Sequence, residues 1–178
     1  MRVSEPYMTP PAEMKTDLQK QVYETLEALD IEYKRVDNDP AVTMADCVEI
    51  NKALDCTVVK TLFLCNRQKT SFYLFVMPDG KPFVTKNFGA ALGVSRVSFA
   101  PPELLLERVG VEVGATTVFG LLLDKENEIR TVFDKEVLAD EKYGCTDGTT
   151  TGYMCVKTDD ILNKFLPHIN HGYEIIEI

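Results

Sequence analysis

The stretch Val58 to Cys65 constrains this chain most, because it is apolar on both alternating faces with a single amine, Lys60, inside it. A half-exposed strand alternates apolar with polar side chains, whereas a strand apolar on both faces is covered on both. The segment therefore predicts a covered, central strand. Asn66 to Thr70 is a polar turn, and Ser71 to Met77, rich in aromatic and β-branched residues, predicts a second strand. Pro78-Asp79-Gly80 is a turn signal, after which Lys81 to Val84 continues the meander.

Helical punctuation surrounds this β centre. Thr16 with Gln19 reads as a capping box, and Leu18, Val22, Leu26 and Leu29 follow at helical spacing. Glu32 to Val36 predicts a short strand. Thr43 with Asp46 predicts the N-cap of a second helix reaching Leu54. Short helices fit Thr85 to Gly93 and Pro102 to Val109, the latter with Gly110 just past its end. Val118 to Leu123 and Glu128 to Phe133 predict a hairpin, and Thr149 to Val156 a further strand. Thr158 caps a last helix that Pro167 ends, and Glu174 to Ile178 is a final strand. Residues 1–14, with three prolines, read as a loose arm before a single domain over residues 15–178. The pattern is α+β: a single compact domain with one mixed, mainly antiparallel sheet and helices packed around it.

Charge and composition exclude several functions. The net charge of −9 argues against binding DNA through its phosphates. Lys52, Lys60, Lys81, Lys86 and Arg96 either gather around an RNA end or are scattered solvated charges. No window approaches the ~20 apolar residues of a membrane span, and the N-terminus lacks an apolar signal core, so the expected compartment is the cytoplasm. Five cysteines, an odd number without C-x-x-C spacing, argue against a disulfide framework or a zinc ribbon. His168 and His171, read as exposed, supply neither a metal site nor a histidine base beside a motif.

Three segments carry candidate chemistry. Lys60 either marks the exposed start of its strand and snorkels to water, or aims a cation into a pocket to hold an oxyanion or phosphate. Gly110 to Gly120, with glycines at 110, 114 and 120, is either an ordinary connection or a loop presenting backbone N–H groups to a ligand. Cys145-Thr146-Asp147-Gly148-Thr149-Thr150-Thr151-Gly152 is either a turn running into a strand or a hydroxyl-lined pocket wall.

In order, Val59-Lys60-Thr61-Leu62-Phe63-Leu64, Leu92-Gly93-Val94-Ser95-Arg96-Val97-Ser98-Phe99-Ala100, Gly114-Ala115-Thr116-Thr117-Val118-Phe119-Gly120-Leu121, and Thr149-Thr150-Thr151-Gly152 followed by Thr158-Asp159-Asp160-Ile161-Leu162 resemble the motifs of the YbaK and prolyl-tRNA-synthetase-associated family. These are freestanding prolyl-tRNA editing proteins, and the likeness runs from the first helix to the last strand. Three positions depart from the pattern: Val118 stands where the family usually has proline, Tyr143 near where many relatives have histidine, and Asp39-Pro40 where His-Pro is common.

The resemblance implies hydrolysis of the ester joining a wrong amino acid, alanine or cysteine, to the 3′ end of tRNA for proline. It implies Lys60 as the catalytic residue. It implies a substrate pocket formed by Thr43, Gly114, Thr116, Thr117, Phe119, Gly120, Asp147, Thr149, Thr150 and Thr151. No metal or organic cofactor is implied. The partner is mischarged tRNA, with prolyl-tRNA synthetase as an optional second. Two other readings stand beside it. One is a non-catalytic amino-acid or tRNA-binding module, which the departures at Val118 and Tyr143 keep open. The other is a hydrolase using Cys145 or Cys47 as nucleophile, which the scarcity of histidine disfavours.

Overall fold

The computed structural model describes residues 1–178 and places eight strands in two sheets. In the larger sheet, β2 (Lys60–Asn66) lies between β4 (Val97–Phe99) and β3 (Phe72–Met77), antiparallel to both. β5 (Ile129–Asp134) and β8 (Glu174–Ile176) extend this sheet in parallel. The smaller sheet is antiparallel throughout, in the order β1 (Lys34–Asp37), β7 (Gly152–Lys157), β6 (Lys142–Thr149). The fold is thus α+β with mainly antiparallel pairing, as expected, but divided in two. A parallel bridge between Val58 and Gly144 joins the halves, with Val59 N–H donating to the Gly144 carbonyl at 2.9 Å. Glycine is needed there, because a Cβ at Gly144 would stand 2.7 Å from the Thr57 carbonyl oxygen.

The covered strand is present. Phe63 and Cys65 of β2 point into the main core with Leu18, Val22 and Leu26 of α1 (Asp17–Ala28), while Leu64 enters a second core with Phe75, Met77 and Phe88. Phe88 belongs to α3 (Thr85–Leu92), which covers the far face. Burying each such side chain contributes about 1.5–3 kcal/mol. A third cluster joins α2 (Val48–Leu54) to the smaller sheet through Val36, Ile50, Leu54, Val58 and Tyr153. α4 (Pro102–Val109) and the four-residue α5 (Lys135–Leu138) follow. The last helix starts as α6 (Thr158–Asp160), passes through a π-helical turn at Ile161–Phe165, and ends as α7 (Leu166–His168), with Pro167 inside the final turn.

Several expectations are corrected. Val118–Leu123 is a 3-10 helix and not a hairpin strand, so β5 pairs instead in parallel with β3. Its apolar run is buried on nearly every side, and a continuous apolar run does not distinguish strand from helix. Lys81 to Val84 forms no strand. β6 was unforeseen, because its two glycines and its aspartate are depleted in strands. Gln19 accepts from Lys15 N–H at 2.7 Å, one residue outside the expected box. The arm is pinned along β1: Ser4 N–H donates to Asp37 O, Tyr7 and Arg35 exchange backbone bonds at 2.8 Å, and the Arg35 guanidinium lies 4.8 Å from the Tyr7 ring centre.

Candidate functional site

A cleft of about 470 Å³ opens where the two sheets meet. The start of β2 lines it, and 13 of its 19 lining residues are hydrophobic, so it suits a small apolar group. Lys60, Thr43, Gly114 and Thr116, four of the sequence-predicted residues, all line it.

Lys60 is half-buried at the cleft wall, and its Nζ donates to the Lys81 carbonyl oxygen at 2.6 Å. Strand register explains the contact. Lys60 pairs with Met77, so the turn that follows β3 returns beside it. Lys81 is held in turn: its Nζ donates to Asp134 Oδ2 at 2.7 Å and to the Ile178 carbonyl at 2.5 Å, and pairs with Glu136 at 3.1 Å. The hydrogen bond that Lys81 donates to the fully buried Asp134 carboxylate raises the Lys81 pKa above the ordinary lysine value. No carboxylate lies within ion-pair distance of Lys60, and its ammonium meets only the Lys81 carbonyl.

Lys81, read in the sequence only as one of five cations that gather or scatter, and Asp134, which the sequence did not mark, fix the turn whose backbone carbonyl meets Lys60. On the catalytic role that the sequence resemblance implies for Lys60, Lys81→Met is expected to lower turnover by up to ~10²-fold through misplacement of the ammonium. Single-turnover rates with Lys81→Met and Lys81→Arg check this. Partial rescue by arginine, which keeps the ion pairs to Asp134 and Glu136, is the predicted signature.

Val42, Thr43, Met44 and Cys47 supply a further part of the lining. Thr43 caps the 3-10 turn Met44–Cys47 in a complete capping box, with Asp46 Oδ2 accepting from Val42 N–H at 3.0 Å and Thr43 N–H at 2.9 Å. These backbone donors hold the Asp46 carboxyl below its ordinary pKa. Tyr153 Oη, also at the cleft, donates to the Ala41 carbonyl at 3.2 Å. Gly114 closes the neck: at φ +93° its missing Cβ would stand 2.8 Å from Val42 Cγ1 and 2.9 Å from Val42 Cα. Thr116 makes no hydrogen bond within the chain and lines the same cleft.

The other predicted residues stand elsewhere. Thr117 is fully buried and caps the 3-10 helix by accepting from Phe119 N–H at 3.4 Å. Phe119 packs edge-on against Phe165 at 5.1 Å in the core. A Cβ at Gly120 would stand 2.7 Å from Val109 Cβ, so this glycine serves helix packing. Asp147 is fully buried and accepts from Gln19 Nε2 at 2.9 Å, Tyr23 Oη at 2.8 Å and Thr149 Oγ1 at 2.7 Å, while burial pushes its carboxyl pKa up. Thr149, Thr150 and Thr151 border a separate depression of about 330 Å³ beside Lys15. The Thr150 and Thr151 carbonyls hold the segment leading into Val42, Ala41 N–H donating to Thr150 O at 2.9 Å and Asn38 N–H to Thr151 O at 3.0 Å.

The thiol alternative finds no support. Cys145 and Cys47 line the cleft, but burial pushes both thiols up in pKa, away from the nucleophilic thiolate. His171 is buried rather than exposed and is bonded to Asp124 Oδ2 at 2.9 Å, and neither histidine lines the cleft. The departures from the family pattern also lie off the pocket. Val118 and Tyr143 are fully buried core residues, and Asp39 Oδ2 accepts from Arg2 N–H at 2.7 Å.

Fold and cleft together define the class: an α+β domain whose cleft offers one ammonium and a free hydroxyl beside an apolar lining. The aminoacyl-tRNA editing domain matches residues 38–164, and the chain belongs to that family. It is 29% identical over 165 residues to a prolyl-tRNA editing protein, ProX, of Acetoanaerobium sticklandii, covering 93% of this chain and all of that protein. It is 28% identical over 157 residues to prolyl-tRNA synthetase associated domain-containing protein 1 of Danio rerio, covering 87% of this chain and 84% of that one. A solved structure described as a candidate trans-editing enzyme for prolyl-tRNA synthetase superposes with a TM-score of 0.67 at 15% identity, over 92% of this chain and 98% of that one. That last likeness speaks for the fold.

Proposed function

We propose that this protein deacylates mischarged tRNA for proline in trans, with alanyl- and cysteinyl-tRNA as substrates. The observation that carries the reading is the Lys60 ammonium, free of any carboxylate, at the wall of an apolar cleft of about 470 Å³.

An aminoacyl ester is already activated, so a positioned water suffices as nucleophile. Water oxygen bonds to the ester carbon and the carbon–oxygen bond to the ribose breaks. The ribose oxygen leaves as a hydroxyl, taking up a proton, and the amino acid leaves as a free carboxylate. Negative charge develops on the carbonyl oxygen in between. Lys60 and the Thr116 hydroxyl stand at the cleft wall to stabilise it, and the apolar lining receives the side chain. No covalent enzyme intermediate is needed, in keeping with a cleft that lacks a thiol–imidazole pair. Val118 and Tyr143, the departures that kept a non-catalytic module open, are buried in the core and do not line the cleft.

The test is selectivity. Alanyl-, cysteinyl- and prolyl-tRNA offered side by side should show prolyl-tRNA cleaved at least about tenfold more slowly. A rigid pocket excludes the larger ring by clash, whereas the loss of a methylene alters binding by only ~1–3 kcal/mol. Comparable hydrolysis of all three contradicts an editing role.

A further inference from the structure

We propose that the outer edge of the larger sheet, from Phe99 at the cleft to Arg67, Lys86 and Arg96, holds the sugar-phosphate backbone of the tRNA acceptor end. The inference rests on the deacylase reading and extends it from the reacting ester to the polynucleotide.

With a net charge of −9, the protein as a whole repels a polyanion, so any RNA contact must come from locally uncompensated cations. Nine of the 19 Lys and Arg side chains pair with a carboxylate, Arg35, Arg108, Arg130, Lys52, Lys81 and Lys142 among them. Arg67, Lys86 and Arg96 are exposed and have no acidic partner. Arg67 and Arg96 border one depression of about 560 Å³ with Gln68, Ser95 and Ser98. Arg96 and Lys86 border the next, of about 360 Å³, with Thr85. The hydroxyls among these residues are further donors to phosphate oxygens. α3 begins at Thr85 with no acidic residue in its first turn, which adds the positive end of its dipole to the same surface.

β4 connects this surface to the cleft. Val97 points inward, Ser98 faces the depression, and Phe99, 58% exposed, lines the cleft itself. The Phe99 ring is braced edge-on by Phe83 at 5.6 Å. A braced, exposed aromatic ring beside cations is a stacking platform for an unpaired base. Arg96 stands three residue steps before Phe99, about 10 Å of rise, so a single-stranded end seated in the cleft passes the ring and then meets the cations.

The experiment is fluorescence anisotropy of a labelled, uncharged proline tRNA transcript titrated with protein across a series of KCl concentrations. Each cation that touches phosphate contributes about 0.7–0.9 to the slope of log affinity against log salt. The triple variant Arg67→Gln, Lys86→Gln, Arg96→Gln is expected to bind at least about tenfold more weakly at 0.1 M KCl, with the slope reduced by about 2 and an unchanged melting temperature. Phe99→Ala is expected to weaken binding about tenfold with the slope intact. A control removing the same charge elsewhere, Lys20→Gln, Lys125→Gln, Lys135→Gln, should leave the slope at the parent value. Three results overturn the proposal: a parent that does not bind the transcript at low salt, an unchanged slope in the first variant, or an equal fall in the control. The uncharged transcript carries no ester, so a parent that binds in this way but does not hydrolyse overturns the deacylase reading and leaves the surface standing.

Discussion

Lys60→Ala is expected to lower single-turnover deacylation of alanyl-tRNA for proline by about 10²–10³-fold, the usual cost of removing one preorganised oxyanion donor. Lys60 stands half-buried at the wall of an apolar cleft, where an ammonium stabilises developing negative charge more strongly than it would in water. Its one hydrogen bond within the chain is to the Lys81 carbonyl, so stability should change by no more than about 1 kcal/mol. Lys60→Arg should not restore the rate, because a planar guanidinium differs in shape from a compact ammonium and the 2.6 Å contact to Lys81 O would have to move. A folded Lys60→Ala protein cleaving within about threefold of the parent, some 0.65 kcal/mol of barrier, rules out the catalytic assignment.

Gly114→Val should also cost more than about tenfold in rate, by a different route. At φ +93° the new side chain is strained by ~1–3 kcal/mol, and its Cβ would press on Val42 Cγ1 and Cα at 2.8 and 2.9 Å. Relief requires the Val42–Thr43 wall to shift, which reshapes the cleft neck while both sheets keep their packing. Rate should therefore fall further than stability, as read by single-turnover kinetics beside a thermal melt. Gly120→Val makes the useful contrast, since its Cβ meets Val109 in the core and its damage should register in the melt. An unfolded Gly114→Val protein, or a folded one with full activity, defeats the assignment.

What was legible in the sequence follows from which signals are local. The double-faced apolar run gave β2 its covered place, and Thr16, Thr43, Gly93 and Gly110 marked helix ends because capping is decided within a few residues. β6 was hidden because its glycine and aspartate content suits a turn, and only its pairing with β7 makes it a strand. Val118–Leu123 was misread because burial on nearly all sides removes the periodicity that separates strand from helix. Lys60, Gly114, Thr43 and Thr116 were found as candidates and converge on one cleft, yet Thr117, Phe119 and Gly120 follow them in sequence only to turn into the core. The hold of Asp134 on Lys81, and of the Lys81 carbonyl on Lys60, spans 53 and 21 residues of chain and leaves no mark in any single segment.

The most direct test is a single-turnover time course of the unaltered protein, in excess over alanyl-tRNA for proline, read against spontaneous hydrolysis in the same buffer with binding of the tRNA measured in parallel. The account predicts release of alanine far faster than the buffer rate, with prolyl-tRNA left intact. Bound alanyl-tRNA that decays only at the buffer rate would contradict it and make the cleft a binding site without turnover.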